Sequence, residues 1–219
     1  MKTKVIITGA TGMVGEGVLL ECLQHPEVEK VLVINRRPDG VSHAKLREII
    51  HSDFLNLTAI ESELKGYDAC FFCLGTSSLG KTPEEYKRVT YDLTVGFGKL
   101  LAQLNPDMTF CYVTGMGTDS SEKGRVAWAR VKGATENALM QQFKKAYMFR
   151  PGFMKAMPGQ INLNKYYKYF AWVYPIGRAL NPSTFCTLKE VGDAMVNAAT
   201  KGASKKILEV KDIVELARA

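Results

Sequence analysis

Three stretches of the 219-residue chain carry residue types at spacings that could do chemistry. The first is Gly9-Ala-Thr-Gly12-Met-Val-Gly15, which follows the apolar run KVIIT (4–8) and opens a helical pattern. Glycines in that order suit a dinucleotide pyrophosphate: Gly9 permits the tight turn, Gly12 lets the backbone approach the phosphates, and Gly15 lets helix and strand pack closely. The second is Gly75-Thr-Ser-Ser-Leu-Gly80-Lys81-Thr82, which satisfies the Walker A pattern. A P-loop NTPase also needs an Asp at the end of an apolar strand to organise Mg²⁺, yet the next run, MTFCYVTG (108–115), ends in Thr114 and Gly115. Segment 75–82 therefore reads as the loop after the fourth strand, beside the cofactor held by the first glycine turn. The third is Trp128-Ala-Arg-Val-Lys132, whose end members share one helical face.

The next candidate is VINRRP. An NAD site usually has a carboxylate about 20 residues past the glycines to hold the ribose 2′-hydroxyl. Asn35 stands there instead, and Arg36 and Arg37 follow, offering charge-assisted bonds to a 2′-phosphate. NADP(H) is expected over NAD(H). Asp53 and Phe54, closing the third strand, are placed to meet the adenine.

The elements that must position these residues alternate. Short, nearly continuous apolar runs at 4–8, 30–35, 46–53, 68–75 and 108–115 suit parallel strands buried on both faces. Helical stretches lie between them at 13–24, 57–64, 83–104 and 128–145. Further strands are expected at 146–151 and 206–210, with a helix at 188–200 opened by Thr187. This alternation predicts an α/β fold, a doubly wound parallel sheet in a single domain over 1–219, with about 153–186 forming a substrate-side wall rich in Met, Tyr and Phe.

Composition narrows the function classes. The net charge is +7, but the basic residues are scattered rather than gathered with aromatic residues, so no nucleic-acid partner is expected. No apolar run reaches the roughly 18 residues of a membrane span, and the amino terminus enters a strand without a signal-peptide core, which points to the cytoplasm and away from a membrane. The five cysteines read as reduced core thiols, and the three histidines lack metal-ligand spacing, so no metal is expected. Cys70 and Cys73 have C-x-x-C spacing, but residues three apart in a strand point to opposite faces, a poor redox pair.

Taken in order, TGATGMVG, NRR, DF (53–54), CFFCLGT, GK (80–81), VTGMGTD, VKG before a helix and FRPG (149–152) resemble the atypical short-chain dehydrogenase/reductases. The resemblance covers roughly residues 3–200 and is strongest to the branch containing the Tat-interactive protein oxidoreductase. It implies a Rossmann, NAD(P)-binding fold whose cofactor set is Thr8, Gly9, Thr11, Gly12, Met13, Val14, Gly15, Asn35, Arg36, Arg37, Asp53 and Phe54, continued by Leu74, Gly75, Thr76, Lys132, Arg150, Pro151 and Gly152. Within it, Leu74, Gly75 and Thr76 would line the nicotinamide-side ribose, Lys132 would bond its hydroxyls, and Arg150-Pro151-Gly152 would flank the nicotinamide.

The resemblance also exposes a departure. Members that transfer hydride carry Tyr-x-x-x-Lys, in which the ammonium lowers the phenol pKa. Here Trp128 occupies the tyrosine place, and an indole N–H can donate a hydrogen bond but cannot shuttle a proton. Thr114 aligns with the first hydroxyl of the usual pair, and Gly115 falls where the second, catalytic one tends to be. The candidate catalytic set is thus Lys132, Trp128 and Thr114, with Asp119, Ser120, Ser121 or one of Tyr166, Tyr167 and Tyr169 as possible substitutes. Two readings follow: an NADP(H)-dependent oxidoreductase on a small carbonyl or hydroxyl substrate with an unorthodox proton donor, or a catalytically silent NADP(H)-binding regulator acting through a protein partner. Either is expected as a monomer or homodimer.

Overall fold

A computed structural model of the chain describes residues 2–163, Tyr167 and 171–219. Its seven-stranded sheet runs β3-β2-β1-β4-β5-β6-β9 and every pairing in it is parallel. The strands are β1 Thr3–Thr8, β2 Val28–Asn35, β3 Leu46–Ile50, β4 Ala69–Phe72, β5 Thr109–Val113, β6 Lys145–Arg150 and β9 Ile207–Glu209. The chain winds outward from β1 to β3, then returns to the other side of β1 with β4, so the winding reverses between β1 and β4. In such sheets the carboxyl ends of the strands part at that point and leave a crevice for a ligand.

Period-two alternation buries the sheet on both faces. From β1, Val5 and Ile7 enter one core with Val33, Phe71, Cys111 and Phe149, whereas Ile6 enters the other with Leu32, Phe72, Phe110 and Met148. The first core is closed by α1 (Met13–Gln24) and the helix Leu188–Thr200, the second by α3 (Leu93–Leu104) and α4 (Ala127–Gln142). Cys70 and Cys73 accordingly fall on opposite cores, and all five cysteines are free thiols.

The differences from the sequence expectation lie at element ends. The third strand stops at Ile50, so Asp53 and Phe54 sit in the following turn rather than closing the strand. His51 ends the strand by turning its ring Nε2 onto the carbonyls of Asp53 (2.7 Å) and Asn56 (2.8 Å). The stretch 57–64 is a 3₁₀ helix, Thr58–Leu64, and 83–104 is divided into α2 (Pro83–Lys87), a π turn (Arg88–Asp92) and α3. Thr187 does cap its helix, in a reciprocal box with Glu190. Within 153–186 lies a small parallel pair, β7 (Phe153–Lys155) with β8 (Phe185–Thr187), and a short helix, Tyr174–Leu180, that no periodicity announced.

The contact between α1 and the helix Leu188–Thr200 carries a titratable group. Glu21 is only 4% exposed, with Lys189 Nζ 3.3 Å from its Oε1 and the Asp193 carboxyl beside it. Burial, then Asp193, push its pKa up to about 7, against the pull of Lys189. A carboxyl raised on folding stabilises most when protonated, so Glu21's contribution is complete below the ordinary 4.5 and is lost as pH rises through about 7. Thermal melts at stepped pH are expected to show Glu21→Gln matching wild type near pH 4.5 and exceeding it at pH 8. Parallel melting curves across that window would exclude the linkage.

Candidate functional site

The glycine turn is shaped by what crosses it. Gly9 has φ +76°, and a Cβ on it would stand 2.7 Å from the Leu74 nitrogen where the chain leaves β4. A Cβ on Gly15 would lie 2.1 Å from the Gly9 carbonyl oxygen, so α1 can begin here only without side chains at both places. Gly12 N–H closes the turn onto Gly9 O at 3.0 Å, and Gly12 caps α1 without a side-chain bond. The first N–H groups of α1 are thus not blocked by a capping side chain.

A cavity of about 220 Å³ opens between this turn and the ends of β2 and β4, lined by Gly9, Thr11, Gly12, Ile34, Asn35, Arg36, Arg37, Phe54, Cys73, Leu74 and Gly75. Nine of these eleven belong to the set expected from the sequence; Ile34 and Cys73 do not. Arg36 and Arg37 are exposed, and among the described residues neither forms an ion pair. Other expected residues lie behind the cavity wall. Thr8 is buried with its hydroxyl accepting from Leu74 N–H (3.4 Å), Val14 packs on the core, and Met13 offers its carbonyl to Gln160 Nε2 (2.8 Å). The Asp53 carboxylate accepts the Leu55 N–H at 3.0 Å, and Thr76 is half-buried in the loop after β4. Thr82, last of the Walker pattern, spends its hydroxyl capping α2 through Glu85 N–H (3.2 Å), so it is not presented to a metal–phosphate group.

On the opposite side of the sheet's midline, Lys132 extends from α4 and donates its ammonium to the Thr114 carbonyl. Burial lowers its pKa to about 8, with Glu136 opposing. Trp128 is half-buried at the start of α4, its ring edge 3.6 Å from where a Cβ on Gly117 would stand.

Two of the expected site residues are engaged within the protein. The Thr114 hydroxyl has its one hydrogen directed to Glu136 Oε1 (2.7 Å), with Phe149 O as a longer alternative acceptor (3.2 Å), and the residue is 7% exposed. The Arg150 side chain is likewise engaged. Its Nε and terminal nitrogen bind Glu136 at 3.0 and 2.5 Å, and the same nitrogen reaches Ser120 Oγ, because a guanidinium this buried must sit against a carboxylate. Pro151 and Gly152 meet neighbouring backbone: Met116 N–H donates to Pro151 O (3.0 Å), and a Cβ on Gly152 would be 2.2 Å from Thr184 O.

The substitute proton donors also make hydrogen bonds within the protein. Asp119 accepts from Ser121 Oγ (2.6 Å) and from Gly124 N–H (2.7 Å), bonds that hold its carboxyl below the ordinary range. Tyr167 accepts the Ala156 N–H at 2.8 Å, and Tyr166 and Tyr169 lie outside the described residues. Gly115 has φ +133°, a conformation a serine would adopt only under strain.

Two functional partners were invisible in the sequence. Glu136, fully buried, lies one turn beyond Lys132 and reads as an ordinary helix-surface charge until β6 delivers Arg150 to it. Glu16 accepts the N–H groups of Ile161 (2.8 Å) and Asn162 (2.7 Å), fastening the 157–162 segment to the first turn of α1.

Residues 5–118 match the model of the NAD dependent epimerase/dehydratase family. Among curated proteins, the chain is 31% identical over 140 residues to leucinostatins biosynthesis cluster protein T of Purpureocillium lilacinum, covering 63% of this chain and 51% of that one. It is 29% identical over 157 residues to the mitochondrial protein fmp52-1 of Aspergillus terreus (68% and 66%), and 26% identical over 171 residues to protein HTATIP2 of Rattus norvegicus (74% and 69%). The matches span about half to two thirds of these relatives' lengths. Solved structures with the same fold include Bordetella bronchiseptica WbmG in complex with NAD (TM-score 0.69, 12% identity, 99% of this chain and 77% of that one). MoeE5 in complex with UDP-glucose and NAD gives TM-score 0.67 at 17% identity, over 98% and 80%. No helix among the described residues is long and apolar enough to cross a membrane.

Removing one partner of the Glu136–Arg150 pair leaves an uncompensated buried charge. Arg150→Met is expected to cost about 3–5 kcal/mol in urea unfolding, whereas the exposed pair Arg47–Glu63 should cost under about 1 kcal/mol when broken. Equal losses at the two sites would show that the buried pair carries no special weight.

Proposed function

Because the chain belongs to the NAD dependent epimerase/dehydratase family, we propose that it is an NADP(H)-binding oxidoreductase of the short-chain dehydrogenase/reductase kind, acting on a small carbonyl or hydroxyl compound. The observation that carries the cofactor choice is the pair Arg36 and Arg37, exposed at the edge of the cavity beside the glycine turn and without a counter-ion among the described residues. Two guanidiniums so placed suit a 2′-phosphate, and Phe54 and Ile34 offer apolar surface to an adenine.

A dinucleotide fits the residues present: the turn leaves no Cβ between the β4 exit and α1, and the helix amino end is open to an anion. When bound, the nicotinamide supplies the hydride chemistry. The chain's own part is to hold and orient. Lys132, steadied by the Thr114 carbonyl, would bond the nicotinamide-side ribose, and Trp128 would offer an indole N–H that can orient a substrate oxygen but not exchange its proton. The wall across 153–186 carries exposed Phe153, Trp172, Ile176 and Leu180, which favours an apolar substrate.

A second reading rests on one feature. Thr114's hydroxyl is committed to Glu136 and Gly115 sits at positive φ, so the place of the family's catalytic hydroxyl is closed by packing and by backbone conformation together. That favours a silent cofactor-binding regulator working through a protein partner.

Titration calorimetry should show Arg36→Ala weakening NADPH by about 10- to 100-fold, the worth of a charge-assisted bond of about 1.5–3 kcal/mol, with NADH changed less than about twofold. Equal loss for both cofactors would defeat the 2′-phosphate assignment. Assayed with NADPH against aldehydes and ketones, the wild type is expected to turn over and Trp128→Tyr to retain that activity; a silent wild type that gains reduction on this substitution would establish the regulator instead.

A further inference from the structure

Asn35 ends β2 only 2% exposed, and its amide turns away from the two arginines that follow it. Nδ2 donates to Glu48 Oε1 at 2.8 Å and to Asp39 Oδ2 at 3.4 Å. Glu48 comes from the neighbouring strand β3, and the same Oε1 accepts the Asp39 N–H at 3.0 Å. Asp39 in turn accepts the Val41 N–H at 2.9 Å through Oδ1. Residues 35–41 therefore fold back on β3, with both carboxylates facing amide donors.

The arrangement is unexpected on charge alone. A carboxylate two residues past a pair of guanidiniums and another on the neighbouring strand are natural partners that would cancel their field. Here neither does, and Arg36 and Arg37 both line the cavity. The acids are satisfied within the loop, and the cations are left for a ligand. Burial, with Glu48 nearby, also raises the Asp39 pKa, consistent with a carboxyl turned inward rather than onto an arginine.

We propose that Glu48 is a specificity-determining positioning residue of the adenosine pocket: by holding Asn35 and the Asp39 peptide it folds 35–39 so that Arg36 and Arg37 meet the 2′-phosphate without a counter-ion. This rests on the NADP(H) reading above. It also accounts for an amide at position 35. A carboxylate there would stand 2.8 Å from the Glu48 carboxylate and repel it, opening the clamp that the arginines depend on.

The test is calorimetric titration of the full chain with NADPH and NADH, with circular dichroism to confirm folding of each variant. Glu48→Leu is expected to weaken NADPH about tenfold and NADH less than about twofold. Glu48→Gln, which keeps a side-chain oxygen to accept both amide donors, should retain the selectivity. Asn35→Asp, which sets a carboxylate against both Glu48 and Asp39, should lose it. If Arg36→Ala abolishes NADPH selectivity but Glu48→Leu leaves it intact, the clamp is refuted and the 2′-phosphate reading stands. If Arg36→Ala spares selectivity, that reading fails and the clamp with it. Equal weakening of both cofactors by Glu48→Leu, or tighter NADPH binding, would likewise overturn the clamp, the first making Glu48 a general scaffold and the second a repelling charge in the pocket.

Discussion

The amino-terminal site depends on the absence of side chains where three backbone segments meet. The chain leaving β4 crosses 2.7 Å from where a Gly9 Cβ would stand, and the start of α1 crosses 2.1 Å from the Gly9 carbonyl at the place of a Gly15 Cβ. Any larger residue must push β4's exit or α1 away from β1, and the crevice at the reversal of winding would lose its floor. The open helix end and the cavity floor follow from that contact.

A second constraint governs the other side of the sheet. Glu136 is fully buried, so it must be neutralised, and Arg150, Thr114 and Ser120 converge on it. That convergence decides what remains available above it. It consumes the Thr114 hydroxyl and the Arg150 guanidinium, while the Thr114 carbonyl receives Lys132. Lys132 is anchored by that carbonyl, and Trp128 lies on the same helix. Glu16 and Gln160 fix the 157–162 segment to the first turn of α1.

Much of the architecture was legible because it rests on local periodicity. Strands buried on both faces leave continuous apolar runs, and the runs at 4–8, 30–35 and 108–115 lie within a few residues of β1, β2 and β5. Element ends were less legible. The third strand stops early because His51 turns its ring onto two later carbonyls, and the division of 83–104 by a π turn leaves no mark in the apolar pattern. The β7–β8 pair was missed because each strand has three residues, too few for alternation to register.

By itself the sequence determined the fold class, the glycine turn and the residue types around the cofactor crevice, since these depend on backbone sterics and spacing within one βαβ unit. The tertiary structure alone decided which of those side chains are free. Glu136 engages Arg150 and Thr114, while Glu48 and Asp39 accept from amide donors and, among the described residues, Arg36 and Arg37 form no ion pair. The physical reason is that a charge or hydroxyl is claimed by whichever partner packing brings within about 3 Å, and those partners come from strands and helices distant in the chain.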